Sequence, residues 1–140
     1  MSPELSPPVL RDAGCTGLRK IAPQQRGALL EAAREAGLRC LKIELAGCND
    51  KAKFLARMAA ALEFPPCFGQ NWDALEDCLG DLAWLPAAGY LLLLEHAADL
   101  RDAAPDDYQT AVDILAEAVE TWRERGIPFW VFVADKKDDA

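Results

Sequence analysis

The chain has one histidine and, throughout the interval between Arg57 and Arg101, no lysine or arginine. A lone imidazole offers no histidine pair for a metal and no partner with which to build a nucleophile–base couple. The five cysteines, at 15, 40, 48, 67 and 78, are odd in number and include no C-x-x-C, so they match neither a disulfide framework nor a structural-zinc pattern. They fit a reducing compartment. No apolar run approaches the roughly 18 residues of a membrane span. The opening MSPELSPPVLRD also lacks the charged start and apolar stretch of an export signal. The expectation is a cytoplasmic protein with no cofactor, no metal and no membrane contact.

What is present points to one ordinary globular domain. A chain of 140 residues, 51% apolar, buries roughly two thirds of the surface its unfolded form exposes and needs no metal or disulfide for support. Four Trp and five Phe argue against disorder. The charge is polarised along the chain. Residues 1–57 hold ten basic and six acidic side chains, a balance of +4, whereas residues 58–140 hold five and seventeen, −12. Seven acids and no base lie between Arg57 and Arg101, so that surface repels nucleic acid and suits a cationic protein.

Periodicity divides the chain into alternating strands and helices. Residues 1–16, with Pro3, Pro7 and Pro8, read as a flexible arm; GLRKIA at 17–22 reads as a short extra strand, and Pro23 opens a helix that stops at Gly37. LRCLKIEL alternates, with Leu41, Ile43 and Leu45 opposite Lys42 and Glu44, as a half-buried strand does. Asn49 is placed to cap the next helix, which runs to about Leu62 with Phe54, Leu55, Met58 and Leu62 inward and ends at Pro65 and Pro66. GYLLLLEHA and IPFWVFVAD are almost continuously apolar, the mark of strands covered on both faces. Between them, residues 106–125 set Tyr108, Val112, Leu115, Val119 and Trp122 on one helical stripe. This order predicts an α/β fold, a small parallel β-sheet of three strands plus the N-terminal one, packed with helices through right-handed crossovers. Residues 135–140 form a charged tail.

The segment PPCFGQNWDALEDCLGDL carries the most chemistry. At about 100° per residue, Trp72, Leu75, Cys78, Leu79 and Leu82 share one arc of a helix while Asp73, Glu76, Asp77 and Asp81 share the other. Trp72 reads as core. Gly69 suits a tight turn and Asn71 the helix cap. FGQNWDALEDCL, followed by a Leu-rich strand ending in Glu95 and by a last helix and strand, resembles the barstar family of ribonuclease inhibitors over residues 38–134. Residues 17–37 stand outside that unit as a strand-helix elaboration.

The resemblance implies a monomeric intracellular protein that blocks the active site of a basic secreted ribonuclease with the acidic helix and the loop before it. It assigns Asp77 to the nuclease's phosphate site and Asp73 to a contact one turn earlier. Glu76, Asp81, Phe68, Cys67, Gly69, Asn71 and Gly80 complete the implied contact region. The chain departs from the family's barnase inhibitor where Cys67, Glu76 and Leu82 replace aromatics, and where Thr121 replaces a glutamate with Glu120 and Glu124 close by. Those departures keep open a second reading, a non-catalytic interaction or regulatory module for another cationic protein. An enzyme built on Asp73, Asp77 and Asp81 is disfavoured, because exposed carboxylates have no desolvation to separate their pKa values. His96 reads as a satisfied structural residue.

Overall fold

The computed structural model describes residues 6–65 and 71–134. Its centre is a four-stranded, wholly parallel sheet in the order β1-β4-β3-β2, formed by β1 (Leu18–Ile21), β2 (Arg39–Glu44), β3 (Tyr90–Glu95) and β4 (Phe129–Ala134). The two central strands, β3 and β4, are buried at every position. The apolar runs of the sequence therefore mark strands with both faces covered.

Among the described residues, six α-helices cover the sheet: α1 (Pro7–Leu10), α2 (Arg26–Glu35), α3 (Lys51–Leu62), α4 (Trp72–Asp81), α5 (Ala98–Ala103) and α6 (Pro105–Glu124). Strand alternation splits the core in two. Leu41, Ile43, Leu92, Leu94, Val131 and Val133 pack with α3, α4, α5 and α6, whereas Leu91, Leu93, Trp130 and Phe132 pack with α1 and α2. The chain crosses from β1 to the far edge at β2 and then returns through β3 to β4. Reversing direction along a sheet while keeping right-handed crossovers moves the helices to the opposite face, which accounts for α2 standing alone with α1 on one side.

The N-terminal region thus has a structural task. Residues 6–16, read from sequence as a flexible arm, instead place Leu10 in the core at 0% exposure. Its carbonyl accepts a 2.9 Å hydrogen bond from the Trp130 indole. Trp130 is fully buried, and an indole N–H there requires a partner. The arm supplies it.

Local signals account for most helix ends, with some exceptions. Asp50 caps α3, its carboxylate accepting from the Lys53 amide at 2.8 Å, while Asn49, the expected cap, accepts from the Lys53 ammonium at 3.1 Å. The inward set Phe54, Leu55, Met58 and Leu62 is buried as the spacing predicts. Helix α3 stops at Glu63, which adopts φ +55° and is followed by a bond from the Phe64 amide to the Ala59 carbonyl. That geometry ends the helix before the prolines do. The short α5 lies between β3 and the long helix, where the sequence reading had no element.

Candidate functional site

The acidic helix α4 is held at both ends by protein groups. Asn71 adopts an extended backbone, and its side-chain oxygen accepts from the Ala74 amide at 2.7 Å. This satisfies one of the orphan donors of the first turn. At the other end, Leu82 leaves the helix at φ +51°, a conformation that costs an L-residue about 1–2 kcal/mol; its side chain, 1% exposed, is locked in the core. Two side chains of the α6 C-terminal region then donate to carbonyls in the last turn of α4. The Trp122 indole donates to the Leu79 carbonyl at 2.7 Å, and the Arg125 guanidinium donates to that of Gly80 at 2.6 Å. A cation at this end also complements the helix dipole.

The body of α4 follows the periodicity of its sequence. Leu75 and Leu79 are fully buried, and Asp73, Glu76, Asp77 and Asp81 are all exposed. Trp72 is half-buried, packed against Phe54 with ring centroids 6.1 Å apart, and the Lys51 ammonium lies 5.3 Å from its ring centroid. It is a shoulder of the core that keeps one side open. Gly80 is half-buried beside Arg125, with open space where a Cβ would stand. Cys67, Phe68 and Gly69 lie outside the described residues.

One acidic contact was missed by the sequence reading. The Glu76 side chain hydrogen-bonds Glu117 of α6, and this bond, reinforced by the charges of Glu117, Asp73 and Asp77, raises the Glu76 carboxyl above its ordinary pKa. Neighbouring carboxylates repel, which makes the ionised form of Glu76 harder to reach. Glu117 belongs to an exposed series, Asp113, Glu117, Glu120 and Glu124, spaced four, three and four apart on α6. That spacing is visible in the sequence, but its meeting with α4 is a property of the packing. Thr121 is half-buried, while Glu120 binds Arg123 at 2.5 Å. The outcome is an acidic surface running from α4 onto α6.

Leu82 stands apart from the expected contact set. Its burial removes it from any surface role, so an aromatic at this position would have to enter the core rather than reach a partner. No helix among the described residues is long and apolar enough to cross a membrane. Rigid carboxylates projecting from a capped, core-anchored helix are suited to receive guanidinium and ammonium groups, because the ordering cost is met in the free protein.

A family model described as Barstar (barnase inhibitor) matches residues 38–134. No curated protein matches the chain. Among similar solved structures is one titled "Structure of the Aeropyrum Pernix ORC2 protein (ADPNP-ADP complexes)", at 14% identity and a TM-score of 0.48, covering 88% of this chain and 35% of that one. The present chain thus spans about a third of that protein's length, a likeness that carries no functional inference.

Proposed function

The chain belongs to the barstar family, and on that premise we propose that it is a non-catalytic inhibitor of a basic secreted ribonuclease, acting in the cytoplasm as an immunity protein. The observation that carries this reading is the uninterrupted acidic face of α4, with Asp73, Glu76, Asp77 and Asp81 exposed on a helix whose other side is locked by Leu75 and Leu79. A ribonuclease cleft must hold phosphate, so it presents arginine, lysine and histidine. Carboxylates fixed on a helix occupy such positions as phosphate does. Asp77 enters the phosphate site in this reading, Asp73 contacts the enzyme one turn earlier, and Glu76 and Asp81 extend the contact.

Asn71 and Gly80 act as positioning residues for that face, since one caps α4 and the other lends its carbonyl to Arg125. Cys67, Phe68 and Gly69, which precede α4 in the sequence, complete the proposed contact region. Charge complementarity accelerates encounter as well as holding the complex, so binding weakens with salt. The free protein is a monomer in this reading.

The test is inhibition of RNA cleavage by a small basic ribonuclease from the same cell, titrated with the purified chain. Stoichiometric loss of cleavage that is relieved by high salt supports the proposal. Undiminished cleavage at a large excess of the chain refutes it for that enzyme. The second reading, an interaction module for a different cationic protein, is favoured by Glu76 and by the buried Leu82, which leave this face few apolar anchors. It predicts a salt-sensitive complex without any effect on RNA cleavage.

A further inference from the structure

At the carboxyl end of the sheet, three donor-bearing side chains outside the acidic helix come together. Glu44 and Glu95 end the neighbouring strands β2 and β3 in direct register, which sets two like charges side by side at roughly the 4.8 Å strand spacing. His96 follows Glu95 with φ +60°, and its Nδ1 lies 2.5 Å from Glu44 Oε2. One donor atom from each of the three residues falls within 4.8 Å of the others.

The decisive feature is Glu95. It is 5% exposed, and its Oε2 is sealed from solvent with no hydrogen-bond partner. Lys42 Nζ stands 3.8 Å from that oxygen and Arg26 Nη1 3.6 Å from Oε1, both beyond ordinary hydrogen-bond length. Coulomb attraction from these cations offsets part of the burial, but it leaves the lone pairs of Oε2 unsatisfied. Both cationic side chains are about half exposed, at 59% for Lys42 and 47% for Arg26, so each has water available on swinging out.

We propose that Glu44, Glu95 and His96 form a binding site for a divalent transition-metal cation of the Zn²⁺ class. One imidazole nitrogen and two carboxylate oxygens suit such an ion, whose bonds to nitrogen and oxygen are about 2.0–2.2 Å. A tetrahedral ion with such bonds holds its donor atoms roughly 3.4 Å apart, so the three groups, now within 4.8 Å of one another, draw together on binding and the His96–Glu44 hydrogen bond opens. The Ala46 amide donates to Glu44 Oε2 at 3.1 Å and orients that carboxylate from behind. Exposure of Glu44 and His96 leaves the outer coordination positions to water. No residue of α4 or α6 takes part, so the site stands or falls independently of the ribonuclease reading. The sequence hides it, because Glu44 and His96 are separated by 52 positions.

His96 is the sole histidine of the chain, which gives the test a unique reporter. Titrating the full chain with zinc chloride, followed by calorimetry and by the imidazole resonances in NMR, should show saturation at one equivalent with the His96 signals displaced. Glu95→Gln carries a risk of misfolding, so the exposed variants His96→Ala and Glu44→Gln carry the test. Each should weaken binding about tenfold or more, with urea unfolding of the metal-free variants reporting that they are folded. Uptake that leaves the imidazole signals unmoved, or that survives both substitutions unchanged, overturns the site. Absence of uptake also overturns it and leaves Glu95 as part of a closed ion network with Lys42 and Arg26.

Discussion

Replacing Leu10 with alanine should lower folding stability by about 2–3 kcal/mol, although the residue stands outside the segment that matches the family. Full burial of a leucine side chain is worth about 1.5–3 kcal/mol, and the cavity left on trimming it raises the usual cost to about 2–5 kcal/mol. Leu10 is 0% exposed and packs on the sheet face that holds Trp130 and Phe132. It sits at the end of a four-residue helix near the N-terminus, a segment able to settle inward and recover part of the loss. The low end of the range therefore applies. Against a total of about 5–15 kcal/mol this is a large fraction, readily measured as a shift in the urea midpoint with an unchanged slope. Because Leu10 and the buried side of α4 belong to opposite faces of the sheet, affinity for a cationic partner should be unaltered in the folded variant. A change below about 0.5 kcal/mol, the size of ordinary surface substitutions, would refute the assignment of the N-terminal segment as a structural cover.

Three further outcomes follow from local geometry. Asn71→Ala removes the cap of α4 and should cost about 1 kcal/mol, read by urea unfolding together with faster amide exchange at Ala74. Gly89→Ala places a Cβ 2.5 Å from Leu38 Cδ2 and 3.1 Å from the Pro128 carbonyl, so thermal unfolding should show a loss of about 1–3 kcal/mol, as overpacking does. Glu117→Gln should stabilise the free protein at neutral pH. The raised Glu76 pKa means that the folded state holds a proton the unfolded state has released, so wild-type stability falls as pH rises from the ordinary carboxylate value through the raised one. Removing the Glu117 charge should flatten that fall, and unfolding curves from pH 4 to pH 7, roughly the span above the ordinary glutamate value, measure the difference.

Much of the architecture was legible because burial writes itself into strand composition. Tyr90–Glu95 and Phe129–Ala134 are continuous apolar runs but for the closing Glu95, and both are buried throughout. The alternation around Leu41 and Ile43 likewise marks an edge strand with one inward face. The α4 pattern was equally plain, since four acids and two buried leucines sort by the helical period alone.

What stayed hidden depends on tertiary packing or on very short elements. Helix α5 has six residues and one buried side chain, Leu100, too little to set a period. Leu10 lies among prolines with no neighbour to suggest burial, and only its meeting with Trp130 reveals its task. Leu82 shares the apolar arc of α4, yet the left-handed backbone that buries it is set by the end of the helix rather than by the arc. Glu117 falls on an ordinary acidic stripe until α6 packs against α4 and brings it to Glu76.

In the proposed function the carboxylates of α4 hold a cationic ribonuclease. The direct measurement is calorimetric titration of that enzyme with the wild-type chain and with the Asp73→Asn, Asp77→Asn double variant, at low and high salt. Loss of about 3 kcal/mol or more, a hundredfold or greater weakening, with a shallower salt dependence and unchanged urea unfolding, is the predicted result. Affinity within about threefold of wild type, below roughly 1 kcal/mol, would contradict it.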